Sequence, residues 1–514
     1  MKKNEAEALD KRNNHISNEN ISSPLIKVLN NYGTNVIPTG NTLDNYLDKV
    51  GYTKFHIVMI FIVCVIFFVD GCEMIITNIL LQTLQREWGF SDAEKSLLSS
   101  AVFFGFFAGS FISGYLTNKF GRKQPTIFGI IGIWIFTSCT PHTTNFIQIF
   151  LLRVMVGIFI GVVVPSATSL VTECIPTKLR SLVLNLLWIL YPLGIIYTCF
   201  VATHFIEENQ SLDWKKIWFV NSITSMPIIF MCFALNESPR YLILKQKYNQ
   251  AFDTLNAIGK SKGIMLTDEE KNHIIQENEA KLIEDAYKSN DNKSDFNVKG
   301  FIDKKYLYVS ILLAYLWFIS SFISYGLLYI LPKIFDSLSK NDKLDSLNHL
   351  ILAMFILFPC PLFRGAISEI KGLGRKNAMI IGFLGSMVAG VICIFSVNHL
   401  SFFSGLLKFF INTSLGIVSV YTSEVYPTSL RSIALGFGNS ITRMGGIITP
   451  FVCEIVGNLF PNAPFYMFVL SAVTGVIACL LLPFETMGMA LDSIDKENKS
   501  DSVLKLDNVE YKKK

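Results

Sequence analysis

Apolar residues fall in twelve long runs. Six lie at about 56–83, 95–117, 124–140, 146–171, 179–204 and 217–235, and six more at about 306–331, 347–367, 377–396, 401–422, 432–458 and 464–483. A helix that crosses a bilayer needs about 20 apolar residues, so each run predicts one transmembrane helix. The polar interval 236–305 separates the two sets. Within it, Thr267 and Glu270 have the spacing of a capping box, ahead of a stretch bearing Ile, Ala and Leu that ends near Ala286. This predicts short amphipathic helices in a cytoplasmic linker; a flexible linker is the alternative. Residues 1–54 are rich in Asn, Lys and Glu and lack the apolar core of a signal peptide. They read as a mostly disordered cytoplasmic tail. The expected organisation is a tail at 1–54, a six-helix bundle at 55–235, the linker at 236–305, a second six-helix bundle at 306–484 and a cytoplasmic tail at 485–514.

Composition agrees with this pattern. The chain is 51% hydrophobic and only 17% charged, whereas soluble proteins carry about 25% charged residues. A soluble enzyme, a coiled coil and a disordered protein are excluded. The net charge of +5 comes from 45 basic and 40 acidic residues, too even a balance to predict a nucleic-acid partner. There is no Walker-type phosphate loop and no zinc-ligand spacing. Neither ATP-driven pumping nor metal hydrolysis is expected, and no metal or cofactor. The ten Cys lie in or beside apolar runs without a C-x-x-C pair and read as packing residues.

An even number of spans puts both termini on one side. The short loops of that side carry Lys119, Arg122, Lys123, Lys178, Lys371, Arg375, Lys376 and Arg431, while those at 141–145, 397–400 and 459–463 carry no Lys or Arg. This bias predicts cytosolic termini and leaves the sequon at Asn209 outside.

An internal repeat is the strongest signal. Glu173, Pro176, Thr177, Leu179, Arg180 and Ser181 recur 251 residues later as Glu424, Pro427, Thr428, Leu430, Arg431 and Ser432. Gly121-Arg122-Lys123 recurs 253 residues on as Gly374-Arg375-Lys376, and Gly129 and Gly132 recur as Gly382 and Gly385. Two six-span halves in parallel repetition are the architecture of a transporter that rocks around a central site.

Charged residues within the spans mark candidate chemistry. Each costs about 2.5–3.5 kcal/mol at the bilayer centre. Asp70 and Glu73 sit mid-way along span one, three residues apart and so on one face. Arg153 lies in span four, followed at i+4 and i+8 by Gly157 and Gly161, a spacing that lets helices approach closely. No His sits mid-membrane, so a carboxylate is the expected proton carrier. Arg443 lies deep in span eleven. Its guanidinium suits a carboxylate substrate; equally, it suits an internal acid such as Glu73. Asn185 and Asn439 are amides at depth that need partners. Trp188, Tyr191, Trp317, Tyr325 and Tyr329 can pack or can stack on a flat organic substrate.

Several motifs carry a family resemblance. Gly114-Tyr115-Leu116-Thr117-Asn118-Lys119-Phe120-Gly121-Arg122-Lys123 resembles the G-x-L-x-D-R-x-G-R-K signature of the major facilitator superfamily, with Asn118 in place of Asp. Glu237-Ser238-Pro239-Arg240-Tyr241-Leu242 and Pro483-Phe484-Glu485-Thr486-Met487-Gly488 are similar to two motifs of its sugar-porter and organic-ion branch. Asp70-Gly71-Cys72-Glu73, Glu87-Trp88 and the stretch around Arg443 resemble the synaptic-vesicle-protein-related group and its nicotinate-transporter relatives. The resemblance implies an all-α membrane protein with the twelve-helix major facilitator fold. It implies that Asp70 pairs with Arg153 and couples protons, with Glu73 as a further member. It also implies a salt-bridge ring of Arg122, Glu173, Arg180, Glu237, Arg240, Arg375, Glu424, Arg431 and Glu485 that closes the cytoplasmic side. Hexose porters typically carry Gln in spans five and seven; here neither span does.

The sequence thus predicts a secondary transporter, not an enzyme, with a monomeric functional unit in the plasma membrane or an internal one. A small organic anion such as nicotinate or pantothenate is expected to move with protons. Arg443, Asn185, Trp188, Tyr191, Tyr325 and Asn439 are the candidate substrate residues. An organic cation or sugar carrier, or a receptor of the same fold, is the alternative.

Overall fold

A computed structural model describes residues 42–207, 211–291, 304–339, 342–370, 373–396, 399–426, 428–460, 462–483 and 485–486. Most of both predicted tails, part of the linker and the Asn209 sequon lie outside these. The described chain is helical, with one isolated bridge between Ile206 and Leu212.

Helix α1 (Thr42–Val50) precedes the first spans, α2 (Lys54–Trp88), α3 (Asp92–Phe120), α4 (Lys123–Cys139) and α5 (Phe146–Cys174). Span five is α6 (Arg180–Leu186), a 3-10 turn at Leu187–Leu190 and α7 (Tyr191–His204); span six is α8 (Trp214–Phe233). The linker forms α9 (Pro239–Leu244), α10 (Tyr248–Gly259) and α11 (Asp268–Asp291). The second half holds α12 (Lys304–Leu338), a span divided into α13 (Lys343–Leu357) and α14 (Cys360–Glu369), then α15 (Gly374–Phe395), α16 (Leu400–Val425), α17 (Thr428–Gly457) and α18 (Ala463–Leu481). Among the described residues, ten helical segments have the length and apolarity to cross a bilayer. The 17-residue α4 and the more polar α17 complete twelve.

Local chemistry sets the boundaries. Ser91 caps α3 reciprocally with Glu94, and Asn145 caps α5 by accepting from the Gln148 amide at 3.0 Å. Pro192 and Pro361 stand at the starts of α7 and α14, where a missing amide hydrogen costs least. They account for the breaks in spans five and eight.

Two features depart from the expected organisation. Residues 42–50, inside the predicted tail, form α1. With α11 it makes a compact unit separate from the span bundle. Lys49 pairs with Glu270 at 2.8 Å, and the Thr42 amide donates to Glu277 at 3.1 Å. Helix α11 begins with the capping box: the Thr267 amide donates to Glu270 and the Glu270 amide to the Thr267 hydroxyl.

The repeat is visible as packing. A Cβ at Gly129 would collide with Val163 and one at Gly382 with Ser414; Gly132 and Gly385 meet the rings of Phe159 and Phe410 in the same way. Gly157 and Gly161 of α5 lie against the backbone of α3 at Val102 and Gly109. The halves meet along α3 with α17 and along α7 with α13, two contacts that the repeat makes equivalent.

Gly121 has φ +95 and ψ −169, and a Cβ there would enter the Glu237 carboxylate; Gly374, at φ +78, stands in the same relation to Glu485. Such backbone is nearly closed to other residues and costs about 1–3 kcal/mol when forced. Gly114, with open space at its Cβ, is the control. Gly121→Ala and Gly374→Ala should each lower the unfolding temperature of the purified protein by several degrees, and Gly114→Ala should leave it unchanged.

Candidate functional site

The two carboxylates of α2 have opposite surroundings. Glu73 is clamped. Its Oε2 accepts from Arg153 Nη1 at 2.8 Å and its Oε1 from the Thr137 hydroxyl at 2.8 Å. Arg153 also donates from Nη2 to Thr140 at 3.0 Å, and its guanidinium lies 5.4 Å from the Trp218 ring centroid. Arg153 is fully buried and Glu73 is 2% exposed. The clamp joins α2, α4, α5 and α8.

This corrects the expected Asp70–Arg153 pair. Helices α2 and α5 run in opposite directions, and Arg153 lies near the start of α5. Glu73 is three residues further along α2 than Asp70, a rise of about 4.5 Å. That rise puts Glu73 level with Arg153 and with the two threonines at the end of α4.

Asp70 is buried, and its Oδ1 has no hydrogen-bond partner among the described residues. The charged groups acting on it are Arg443 and Glu73. Arg443 belongs to the other half. Its Nη1 donates to the Tyr325 hydroxyl at 2.6 Å, and its guanidinium sits 3.4 Å from the centroid of the Phe106 ring. The rings of Phe103 and Tyr325 are 4.5 Å apart, with Gly446 making room for Phe103. Tyr191 is half-buried and interacts electrostatically with Asp70, Tyr325 and Arg443. A carboxylate from one half thus lies within electrostatic reach of a guanidinium from the other, which is held among aromatic side chains.

Of the other candidates, Trp188 adjoins this centre through Tyr191. Trp188 packs on Phe67 and Tyr191, with centroids 4.6 and 5.7 Å away. Asn185 accepts from Arg364 Nε at 2.7 Å, a contact between the halves. Asn439 is exposed, and its amide donates to Leu435 O of its own helix at 2.9 Å. Among the described residues no three His, Cys, Asp or Glu side chains converge as a metal site requires.

The expected cytoplasmic ring is two copies of one device, each within its own half. Arg122 pairs with Glu173 at 2.9 Å and Arg375 with Glu424 at 3.2 Å. The Arg122 amide donates to Glu237 at 2.8 Å, and the Arg375 amide to Glu485 at 2.6 Å. Ser238 donates to Glu173, and Thr486 to Glu424 at 2.6 Å. Arg180, Arg240 and Arg431 are half-buried at the same end.

An ion pair does join the halves at the opposite end. Glu454 of α17 accepts from Lys95 of α3 at 2.7 Å, from Lys333 at 2.9 Å and from the Tyr329 hydroxyl at 2.7 Å. Beside it, the Ser96 hydroxyl donates to Pro450 O at 3.4 Å and the Ser100 hydroxyl to Ile447 O at 2.8 Å. Lys95, Glu454, Arg364 and the buried Lys408 were missed as candidates. All four are charged residues inside the apolar runs, the criterion that picked out Asp70.

Residues 74–497 match the family profile described as "Sugar (and other) transporter". The chain is 26% identical to the Synaptic vesicle 2-related protein of Xenopus laevis over 88% of its own length and 83% of that protein. It is 26% identical to Organic cation/carnitine transporter 7 of Arabidopsis thaliana, covering 90% of this chain and 98% of that one. It is 25% identical to the Niacin transporter NiaP of Acinetobacter baylyi, covering 87% and 98%. The fold matches an inward-open structure of the xylose transporter XylE from E. coli with a TM-score of 0.67 at 15% identity, covering 86% of this chain and 99% of that one.

Removing one partner of a buried ion pair costs about 3–5 kcal/mol, because a bare charge is left behind. Arg153→Met should therefore abolish recovery of monodisperse protein in size-exclusion chromatography. The double variant Glu73→Gln/Arg153→Met should restore it. Equal yields of single and double variants would show that the clamp carries little.

Proposed function

The chain belongs to the sugar (and other) transporter family, and from that premise we propose that it carries a small organic anion together with a proton by alternating access. It is a multi-pass membrane protein whose partners are a small solute and lipid. The observation that carries the proposal is that Arg443 of one half acts electrostatically on a buried Asp70 of the other, whose Oδ1 has no hydrogen-bond partner among the described residues. While Asp70 is ionised it competes for the guanidinium. Protonation removes that competitor and leaves Arg443 to hold both oxygens of a carboxylate. Proton and anion then favour one another's binding, the thermodynamic requirement of symport. Tyr325, Tyr191, Phe103 and Phe106 offer a flat aromatic lining. Niacin, in the name of the Acinetobacter relative, is an aromatic carboxylate and fits this chemistry.

An organic cation is the second reading. The bare Asp70 carboxylate beside aromatic rings suits one, and the Arabidopsis relative's name points the same way. The loop charges favour both termini and the two Gly-Arg-Lys loops on the cytosolic side; a monomeric functional unit in the plasma membrane, with an internal membrane as the alternative, goes with this reading.

Uptake of labelled nicotinate, pantothenate, an organic cation and glucose, measured at pH 5.5 and 7.5 in a transporter-deficient host, separates the readings. Anion uptake should be faster at pH 5.5, vanish in Arg443→Ala and lose its pH dependence and uphill component in Asp70→Asn. Cation uptake indifferent to Arg443→Ala would overturn the anion assignment.

Alternating access also requires the Lys95–Glu454 contact to break. In a Cys139→Ser background, a cysteine placed by Ser100→Cys should react slowly with an impermeant maleimide. Adding Glu454→Gln should speed labelling several-fold. Unchanged labelling would show that this pair does not hold the outer end shut.

A further inference from the structure

We propose that the cavity where α2 begins, α8 ends and α10 passes is a binding site for an anionic glycerophospholipid. The cavity measures about 490 Å³, within the ~300–1,000 Å³ typical of small-molecule sites. Its rim is polar and basic, formed by Lys54, Asn236, Lys260 and Ser261. Its floor is apolar, with Met59, Ile62 and Leu235 each buried. No Asp or Glu is among its lining residues. The 35-residue α2 starts here, so the positive end of its dipole adds to the two ammonium groups.

The wall next to the floor is Val58, which is 53% exposed. The exposed apolar surface continues along α2 through Ile57 and Phe61 and on α8 through Phe230 and Phe233. In a chain that crosses the bilayer, such surface faces acyl chains. The cavity therefore opens where acyl chains give way to headgroups, and basic pockets at that level bind anionic headgroups.

Three classes of occupant can be compared. A free anion would neutralise Lys54 and Lys260 but leave the floor beneath Val58 wet. A zwitterionic lipid would fill the floor, but its own ammonium would oppose the two lysines. An anionic glycerophospholipid meets both demands, with phosphate at the rim and the upper acyl chain against Val58. The far wall belongs to α10 and the turn after it, through Ala257, Lys260 and Ser261. A bound headgroup thus ties the linker to α2, the helix that carries Asp70.

The test uses the full chain purified in detergent and native mass spectrometry. Phosphatidylglycerol, phosphatidylcholine with the same acyl chains, and inorganic phosphate are added separately and in competition. Wild-type protein should retain phosphatidylglycerol in preference to phosphatidylcholine. Lys54→Gln/Lys260→Gln should cut that retention roughly tenfold or more. Lys54→Arg/Lys260→Arg should keep it, as should Lys215→Gln/Lys216→Gln, which alters exposed lysines elsewhere. Equal retention of the two lipids, or retention unchanged in the Gln pair, would overturn the site. Displacement of phosphatidylglycerol by millimolar inorganic phosphate alone would overturn the lipid assignment in favour of a free-anion site.

Discussion

The ion pair between Glu73 and Arg153 is the interaction on which the membrane core depends. Two charges taken out of water lose several kcal/mol each of hydration even after relaxation. The structure meets that cost with four helices. Thr137 takes the second Glu73 oxygen, Thr140 the second Arg153 nitrogen, and Trp218 contributes a ring for the guanidinium. The pair removes Arg153 from competition for Asp70. The upper carboxylate of α2 is neutralised within its own half, and the lower one is left to the partner half. Had Arg153 bound Asp70, Arg443 would face no acid across the interface.

The halves share a scaffold but not a chemistry. The Gly-Arg-Lys device is duplicated nearly atom for atom, down to the positive φ of Gly121 and Gly374 and the carboxylate that each accommodates. These contacts lie inside each half, so they give it a rigid end and survive any movement between halves. Interactions between the halves are unlike one another. On one equivalent contact, Lys95 meets Glu454 beside two serine-to-backbone bonds; on the other, Arg364 meets Asn185. The first has to shed a buried ion pair to part. The second breaks a charge-assisted bond to a neutral amide, a cheaper contact than a buried ion pair. Rigid halves with unequal seams are what a rocking mechanism requires.

Much of this was legible in the sequence because it depends on local pattern. Span length follows from apolar runs, the two halves from recurring loops, and the cap at Thr267 from spacing. Pairing between spans was less legible. Whether Arg153 meets Asp70 or Glu73 turns on the axial stagger of antiparallel helices, and no residue pattern encodes a shift of one helical turn. The substrate role expected of Asn185 turned on the same unknown, because its partner Arg364 is 179 positions away. Helix α1 went unread for another reason. Its nine residues are too short and polar for a span, and composition averaged over residues 1–54 hides them. Lys95 and Glu454 were within reach, since a charge in an apolar run is a local signal. Their place at run ends made them look like loop charges.

The charge balance of the core bears on the kind of solute the centre suits. The Glu73–Arg153 ion pair is neutral overall. The central site is neutral when Asp70 is ionised opposite Arg443, and carries one positive charge when Asp70 is protonated. A monoanion entering with the proton returns the site to neutrality. An organic cation entering beside ionised Asp70 leaves it with a net positive charge at low dielectric, where electrostatic imbalance is most costly. A neutral sugar changes nothing and gains little from Arg443, whose fork is matched to paired oxygens of an acid. On this balance a neutral solute and a proton with a monoanion both leave the centre neutral, and of these the monoanion alone engages the Arg443 fork, which is why the proposal couples it to a proton.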